Sequence, residues 1–582
     1  MKIFLKAYLA SLLAGVTFVF LLVLSLLFMP KEEKIVVRKN SVLHLKLDRP
    51  IVEQASNDPF ENFNFISLEG ENATGLNHLK KALNAAKDDE NIKGVYLEFG
   101  MMSAGLSTLK ELRDAILEFR STGKFVWSYA DMYSQGSYYI ASASDSVFFN
   151  PSGYMDWSGL SSSQPFMKDM FEKIGVEPVV VRGSNNRFKS AVEPFLTNEM
   201  SAENREQMET LLGDIWSFMK AEVADSRGTS ADSLQGIADG MKAMIPAGAL
   251  KYGLVDKLIF RADVAEKLKE ITGAKTIRTI PTISLNRYVK TISVPRTSNQ
   301  IAVIYAQGDI VMGDGDAQSI GPATFVEAIQ KAVADDDIKA IVLRVNSPGG
   351  SALTSDVIHH ELVKAQKVKP LIVSMGDYAA SGGYFISAPA DTIVAQPNTI
   401  TGSIGVFMMF VTAQELLENK MGVHFSTVKT AEMADLGSLF RSLTDAEYKV
   451  LQHGVDETYG QFISKVVHGR GLDSLFVDSI GQGRVWSGVR AKELGLVDLI
   501  GGLDLAIEIA AKKAGITEYG IMELPKHESQ LEKIMKSLGQ EQMKEKMLRE
   551  EMGEFYDTYI MVQKMRSQQG MMARMPVDII IK

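Results

Sequence analysis

Residues 79–99 read LKKALNAAKDDENIKGVYLEF, and residues 325–345 read FVEAIQKAVADDDIKAIVLRV. Each stretch has apolar residues at helical spacing, then an acidic turn, then an apolar run of strand length. The second stretch begins 325 − 79 = 246 residues after the first. A helix followed by a buried strand, written twice at this long spacing, indicates an α/β chain built from two related halves.

The same repeat continues on both sides of these stretches. DMYSQGSYYIASASDSVFF begins at Asp131 and DYAASGGYFISAPADTIVA at Asp377, and 377 − 131 = 246. The tetrapeptide GLVD recurs at 253–256 and 495–498, at an offset of 495 − 253 = 242. Helical patterns alternate with short β-branched runs throughout, which predicts βαβ units and mostly parallel, covered sheets.

The repeat and the composition around it divide the chain into four expected segments, from the N-terminal anchor to a C-terminal extension. The polar, proline-containing stretch near 293–299 is typical of a linker between the halves. The last segment is rich in Met, Lys, Glu and Gln, and we expect it to form exposed helices. The expected segments are a membrane anchor (1–39), a first half (40–292), a second half (298–515) and a Met-rich C-terminal helical extension (516–582).

Residues 7–29 carry no charge. A helix of that length spans about 35 Å, enough for a hydrocarbon core of about 30 Å. No A-x-A site follows it, so we expect an uncleaved anchor rather than a removed signal peptide. More basic residues follow the segment than precede it, which favours an external N-terminus. We nevertheless expect an internal one, because the start of the chain is like that of a signal peptide.

The bulk composition excludes several function classes. The net charge of -9 argues against a general nucleic-acid binder, since no basic surplus is available to neutralise phosphates. The absence of cysteine removes thiolate metal sites, iron–sulfur clusters and a cysteine nucleophile. The 8 histidines form no HExxH or similar ligand pair. We therefore expect neither a metal nor an organic cofactor.

The two halves differ at one serine, and each serves as a control for the other. Ser381 lies among small residues in AASGGY, and its counterpart in the first half is Gln135. Small residues around a serine at a strand-to-helix turn allow a sharp bend and the approach of a substrate carbonyl. The alternative is an ordinary N-cap serine. Ser381 is the candidate nucleophile.

A glycine turn is present only in the half that carries this serine. NSPGG, which ends in Gly349 and Gly350, follows the strand AIVLRV, and the first half has GMMSA there. Such a turn can expose successive backbone N–H groups to a substrate oxygen, as an oxyanion hole requires. The alternative is a simple tight turn. Gly349 or Gly350, with Gly382 after the serine, are the candidate oxyanion donors.

The general base is predicted to be a lysine. No histidine lies near either motif, which leaves a His-type triad with little support. A lysine acts as a base only when neutral, so its pKa must fall by roughly 3 through burial or nearby cations. Lys189 lies among apolar and small residues in RFKSAVEPF, and its counterpart in the second half is Glu432. Each half thus lacks the reactive side chain that the other carries.

Four motifs now carry a specific resemblance: FKSAVEPF (188–195), RVNSPGG (344–350), ASGGYFISAPAD (380–391) and TGSIGV (401–406). With the N-terminal anchor and the duplication, the chain resembles the long bacterial form of signal peptide peptidase A, also called protease IV, of peptidase family S49. The resemblance extends over nearly the whole chain. The segment after about residue 525 is not placed by it.

The resemblance implies two tandem Clp-protease/crotonase-like domains, each a ββα superhelix. It implies a Ser/Lys endopeptidase that degrades released signal peptides. Ser381 would be the nucleophile and Lys189 the base, and Ser403 would hydrogen-bond that lysine. The bulk would lie on the periplasmic side of the bacterial inner membrane as a homo-oligomer, expected to be a tetramer. The substrates would be apolar peptides, and strand addition at a groove edge is the expected mode of binding.

The sequence is also compatible with two other functions. A crotonase-type acyl-CoA enzyme would hold an enolate with backbone N–H groups and would need no Ser/Lys pair. A non-enzymatic membrane scaffold would cleave no peptide. Covalent labelling of Ser381 separates the first of these from a protease, and a peptide-cleavage assay separates the second.

Overall fold

The computed structural model describes residues 17, 35–54, 63–64, 69–70, 73–292, 297–315, 319–525 and 570–575. The expected membrane anchor, apart from Thr17 and the residues from 35 onward, lies outside the described residues. Within the described part of the chain, no helix combines the length and the apolar character needed to cross a bilayer.

The described strands, in chain order, are β1 (Ser41–Leu47), β2 (Ile51–Val52), β3 (Phe63–Asn64), β4 (Glu69–Gly70), β5 (Thr74–Gly75), β6 (Ile92–Phe99), β7 (Phe125–Tyr133), β8 (Ser146–Met155), β9 (Glu177–Arg182), β10 (Lys257–Leu258), β11 (Thr282–Ser284), β12 (Gln300–Gln307), β13 (Asp309–Ile310), β14 (Ser319–Ile320), β15 (Ile338–Ser347), β16 (Gly349–Ser351), β17 (Leu371–Ala380), β18 (Thr392–Ala395), β19 (Ile400–Gly402), β20 (Phe407–Thr412), β21 (Val485–Ser487), β22 (Leu499–Ile500), β23 (Gly520–Leu524) and β24 (Gly570–Arg574).

The described α-helices are α1 (Leu76–Asp88), α2 (Leu106–Arg120), α3 (Gln135–Ala141), α4 (Lys168–Ile174), α5 (Glu193–Leu196), α6 (Ala202–Arg227), α7 (Ala231–Asp239), α8 (Pro246–Lys251), α9 (Arg261–Thr272), α10 (Leu285–Val289), α11 (Pro322–Ala334), α12 (Ala352–Gln366), α13 (Gly382–Ser387), α14 (Asp445–Arg470), α15 (Ser474–Ile480), α16 (Gly488–Glu493) and α17 (Leu503–Ala514). The shorter helical turns are Ser190–Val192, Ile277–Thr279 and Glu415–Lys420.

The two halves repeat one sheet topology. The first sheet is parallel, with the order β10-β8-β7-β6-β1-β11. The second sheet has β22-β18-β17-β15-β12-β23 in the corresponding places. β19 also pairs with β17, as the end of β8 pairs with the end of β7, and β21 is added antiparallel beside β19. The protein is therefore a mixed α/β chain, as the alternating patterns predict.

Residues 79–99 and their repeat at 325–345 form a helix and the central strand that follows it in each half. Helix α1 buries residues at i, i+3 and i+4 spacing against the first core, and α11 does the same in the second. Strands β6 and β15 are buried over nearly all of their length, because helices cover both faces of each sheet. These central strands bring the loops that follow them to one edge of each sheet.

A third sheet joins the halves and the end of the chain. Its order is β14-β13-β16-β24-β20-β9, in which β9 belongs to the first half and β24 to the C-terminal segment. β20 pairs antiparallel with β9 on one side and with β24 on the other. This sheet lies beside the motifs that the sequence singles out, because β16 is formed by Gly349–Ser351.

Within the expected helical extension over 516–582, the structure describes residues 516–525 and 570–575, and the helices expected over the rest of it lie outside the described residues. Gly520–Leu524 pairs with β12 as the edge strand of the second sheet, in the place that β11 has beside β1. The second half thus continues beyond residue 515. Gly570–Arg574 is a strand, not a helix, because β16 and β20 pair with its backbone on both sides and outweigh local helix propensity.

Buried ion pairs connect the two halves. Arg344 of β15 is fully buried and lies 2.9 Å from Glu53 and 2.7 Å from Glu111, both in the first half. The Lys80 amine lies 2.6 Å from the same Glu111 carboxylate. The neighbouring cations hold the pKa of Glu111 at about 2, against the opposing effect of its burial. These charges fix the position of one half against the other.

Candidate active site

Ser381 stands at the turn between β17 and α13. Its backbone has φ 54° and ψ −113°, a left-handed conformation that L residues rarely adopt. Its side chain makes no capping hydrogen bond to α13, which rules out the N-cap alternative. The strained turn instead points the hydroxyl toward Lys189, whose amine lies 2.8 Å from Ser381 Oγ.

Lys189 lies in a loop of the first half that fits against the second half. Phe188 N–H donates to the carbonyl of Gln482, and Gln207 of α6 donates to Phe188 O and Ser190 Oγ on either side of the lysine. A Cβ at Gly483 would come within 2.5 Å of Lys189 Cβ, so only glycine allows this approach. Gln207 and Gly483 support the site, although sequence analysis missed both.

The lysine amine is held by three oxygen atoms. Its Nζ lies 2.8 Å from Ser381 Oγ and 3.0 Å from both the carbonyl oxygen and Oγ of Ser403. All three side chains are fully buried. Burial lowers the pKa of the Lys189 amine well below its ordinary value, because the charged form loses its hydration. The pocket therefore favours a neutral amine.

A neutral Lys189 amine has the hydrogen-bond donors and the acceptor that its three oxygen partners require. It can donate two protons to the two Ser403 oxygens, and its lone pair then remains for the Ser381 hydroxyl proton. Ser403 itself has φ 50°, a conformation that turns its carbonyl and its hydroxyl to the same amine. The structure thus brings together the three side chains that the sequence nominates from two distant regions.

The glycine turn lies directly beside this group. Gly349 and Gly350 both have positive φ angles, 100° and 152°. A Cβ at Gly350 would lie 2.0 Å from the Ile310 carbonyl oxygen, and one at Gly383 would lie 2.6 Å from that of Ser347. Gly350 is paired with Ile310 and with Ala573 in the third sheet. Gly349 N–H makes a 3.2 Å contact with Ser347 Oγ inside the turn.

The equivalent turn in the first half is closed by a glutamine. Gln135 Nε2 donates to Gly159 O at 3.2 Å, and Gly159 N–H donates to Gln135 Oε1 at 2.9 Å. Gly159 is the repeat partner of Gly405, since 405 − 159 = 246, and Gly405 O lies 3.5 Å from Ser381 Oγ. Glu432, which aligns with Lys189, is exposed. The positions equivalent to the Ser381–Lys189 pair therefore carry neither reactive side chain, since Gln135 replaces the serine and Glu432 replaces the lysine.

Among the described residues, no group of three or more His, Asp or Glu side chains has an arrangement that could hold a metal ion.

The model of the family described as "Peptidase family S49" matches residues 118–275 and again residues 363–517, one match in each half and together more than half of the chain. The chain belongs to peptidase family S49. It is therefore a serine-type peptidase, and the family and enzyme class expected from the sequence are confirmed.

Relatives in family S49 align over most of this chain. "Protease 4" of Haemophilus influenzae is 39% identical over 445 residues, which cover 74% of this chain and 71% of that protein. "Serine protease SPPA, chloroplastic" of Arabidopsis thaliana is 32% identical over 516 residues, which cover 86% of this chain and 74% of that protein. Among solved structures, a mutant of ClpP1 from Listeria monocytogenes matches 36% of this chain and 95% of its own, with 13% identity and a TM-score of 0.24.

Proposed function

We propose that this chain is a membrane-anchored serine endopeptidase that degrades cleaved signal peptides by way of an acyl-enzyme on Ser381. The observation that carries the chemistry is the 2.8 Å separation between Lys189 Nζ and Ser381 Oγ in a fully buried site. A serine hydroxyl at its ordinary pKa is a weak nucleophile and needs an adjacent base. A lysine kept neutral by burial is such a base.

The proposed reaction begins with proton transfer from Ser381 Oγ to Lys189 Nζ as the oxygen attacks a peptide carbonyl. The protonated amine is stabilised by both Ser403 oxygens, each 3.0 Å from Nζ. Lys189 then gives its proton to the leaving nitrogen as the C–N bond breaks. Water, deprotonated by the same lysine, hydrolyses the ester and restores the serine.

The oxyanion of the tetrahedral intermediate would accept hydrogen bonds from backbone N–H groups. Gly349 is favoured over Gly350, because Gly350 is paired on both of its sides within the third sheet. Gly382 is the second proposed donor, since it directly follows the nucleophile and begins α13. Loss of one such donor from a serine protease costs about 100- to 1,000-fold in kcat.

The substrate, the membrane anchor and the assembly rest on the sequence. The charge-free stretch of residues 7–29 supports a single-pass anchor. The resemblance to signal peptide peptidase A supports apolar signal peptides as substrates, a bulk on the periplasmic side of the inner membrane and a homotetramer. Each half would be a Clp-protease-like ββα superhelix on the same basis. We propose no cofactor for the reaction, because the Ser/Lys pair supplies both the nucleophile and the base.

A fluorophosphonate probe, followed by mass spectrometry of the labelled peptide, tests the chemistry. Labelling is expected on Ser381, and it should be lost in Ser381→Ala and fall at least about 100-fold in rate in Lys189→Ala. Gln135→Ala changes the equivalent position of the first half and is the matched control, expected to label normally. Wild-type labelling in either site variant would refute the Ser/Lys assignment. Mass spectrometry of the products from a panel of signal peptides tests the substrate.

A further inference from the structure

The C-terminal strand β24 lies between two strands that flank the proposed active site. Its residues pair antiparallel with β16, as Gly349 with Arg574 and Ser351 with Met572. On its other side it pairs antiparallel with β20, where Phe407 is also opposite Met572. An extended segment that completes a sheet on both edges is the geometry by which a peptide binds through strand addition.

The end of this strand lies next to the reacting groups. Met575 N–H donates to the carbonyl of Pro348 at 2.8 Å, directly before the proposed oxyanion glycine. Pro348 has no N–H to return to Met575, so this contact runs in one direction only. The Met575 side chain is 5% exposed and belongs to the large apolar cluster that forms the core of the first half.

The rest of the strand is also held by side chains around it. Met572 packs in an apolar cluster with Val192 and Phe407, so residues from both halves enclose it. The Thr458 hydroxyl contacts Met571 Sδ at 2.7 Å. Ser381 and Lys189 are fully shielded from solvent in this arrangement. The space between β16 and β20 that the strand fills is called the channel below, and a peptide that pairs there must displace the strand.

We propose that Gly570–Met575 occupies the substrate channel as an intrinsic competing ligand, with Met575 in the pocket that receives the substrate residue preceding the scissile bond. This inference rests on the proposed function of Ser381 and Lys189. The channel accepts an apolar, extended peptide, and its pocket takes a long unbranched side chain. The segment binds through backbone pairing and its methionines, as a substrate of the same chemistry would.

Residue 576 explains why such a ligand would not be consumed. Cleavage after Met575 would form an ester between Ser381 Oγ and the Met575 carbonyl carbon while the C–N bond to residue 576 breaks. The leaving nitrogen would take its proton from Lys189, and water would then release the chain ending at Met575. The sequence has Pro576 there. Its ring places a carbon on that nitrogen and restricts the backbone of the preceding residue.

Removal of residues 570–582 from the full chain tests the proposal with an apolar fluorogenic peptide. If the tail fills the channel in at least nine-tenths of molecules, the apparent KM falls about 10-fold on removal, and kcat is unchanged. The synthetic peptide GMMARM should inhibit the shortened chain competitively, and GMMARD should not. An unchanged KM together with no inhibition by GMMARM would overturn the proposal.

Point variants separate the channel from the catalytic chemistry. Met575→Glu puts a charge into the apolar pocket, which weakens binding of the tail. The substrate then meets less competition, so KM should fall as it does in the deletion. Met101→Glu makes the same change at a methionine that is 94% exposed and should leave KM unaltered. If Ser381 is not labelled in any of these chains, the proposed function fails. If labelling and KM are equal in all of them, only the tail proposal fails.

Pro576→Ala tests the position of Met575 in the channel. This variant should shorten itself between residues 575 and 576, as mass spectrometry of the intact protein would show. The same change in a Ser381→Ala chain should leave it whole. A Pro576→Ala chain that stays intact, or that is cut elsewhere, would overturn the assignment of Met575 to the pocket before the scissile bond.

Discussion

Ser403 contacts the amine of Lys189 with two atoms, its carbonyl oxygen and its hydroxyl oxygen, each 3.0 Å from Nζ. The carbonyl contact is fixed by the backbone, whereas the hydroxyl contact depends on the side chain. The second contact can therefore be removed alone, with the buried amine and the serine nucleophile still in place.

Ser403→Ala is expected to lower kcat about 10- to 100-fold with little change in KM, since a loosened base forfeits part of its roughly 100- to 10,000-fold contribution. Steady-state kinetics on a peptide substrate, at several pH values, measures the effect. Ser387→Ala removes another buried hydroxyl, which donates to Gly383 O at 2.7 Å, and should leave kcat within about twofold. An equal loss in both variants would mean that Ser403 acts on stability alone.

Lys189→Met is expected to change how stability depends on pH. The folded pKa of Lys189 is lowered from 10.5, so between the folded value and 10.5 the unfolded chain binds a proton that the folded chain does not. The wild type must then lose stability as pH falls through this window, relative to Lys189→Met. Denaturation at about pH 10.5, 9 and 7.5 measures the difference, and a constant difference would contradict a neutral buried amine.

Ser381→Gly is expected to be more stable than Ser381→Ala by about 1 kcal/mol, because glycine adopts the positive φ without a Cβ penalty. Both variants lack the hydroxyl, so the comparison isolates the strain of the turn. Ser137, inside α3 of the first half, gives the matched control. There the order should reverse, since glycine weakens a helix interior. Chemical denaturation of the four variants provides the comparison.

Arg344→Met is expected to cost about 3–5 kcal/mol, since it leaves the buried Glu53 carboxylate without its cation and leaves Glu111 with Lys80 alone. Arg490→Ala breaks another ion pair between the halves, at 2.6 Å from Asp214, but one that is partly exposed. Its expected cost is below about 1 kcal/mol. Comparable losses in the two variants would show that the buried network adds nothing special to the contact between the halves.

The mixed α/β character and the mostly parallel sheet of each half could be predicted from the sequence, because helical and strand periodicities alternate in both copies of the repeat. The shared offset also indicated which residues to compare. Ser381 against Gln135, and Lys189 against Glu432, differ in complementary ways that a single copy could not reveal. These complementary differences predict Ser381 and Lys189 as the reactive pair, and the structure places their Oγ and Nζ atoms 2.8 Å apart.

Contacts that depend on pairing between distant segments could not be predicted. The approach of Gly483 to Lys189 and the brace from Gln207 arise only when the halves dock, and neither residue is part of a local motif. The strand at Gly570–Arg574 has a composition that also suits a helix. Its partners lie far earlier in the chain, at Gly349–Ser351 and Phe407–Met409, where local propensity carries no information about them.

Ser381 follows Lys189 by 192 positions in the chain. A ribosome that adds about 5–20 residues each second needs roughly 10–40 s to pass from one to the other. Throughout that interval the growing polypeptide has its proposed base but no nucleophile, so it is unable to attack itself or a neighbouring nascent chain. Because the pair is divided between the two halves, the nascent chain cannot assemble the site until the second half has been synthesised. The length of chain between the two residues sets this delay.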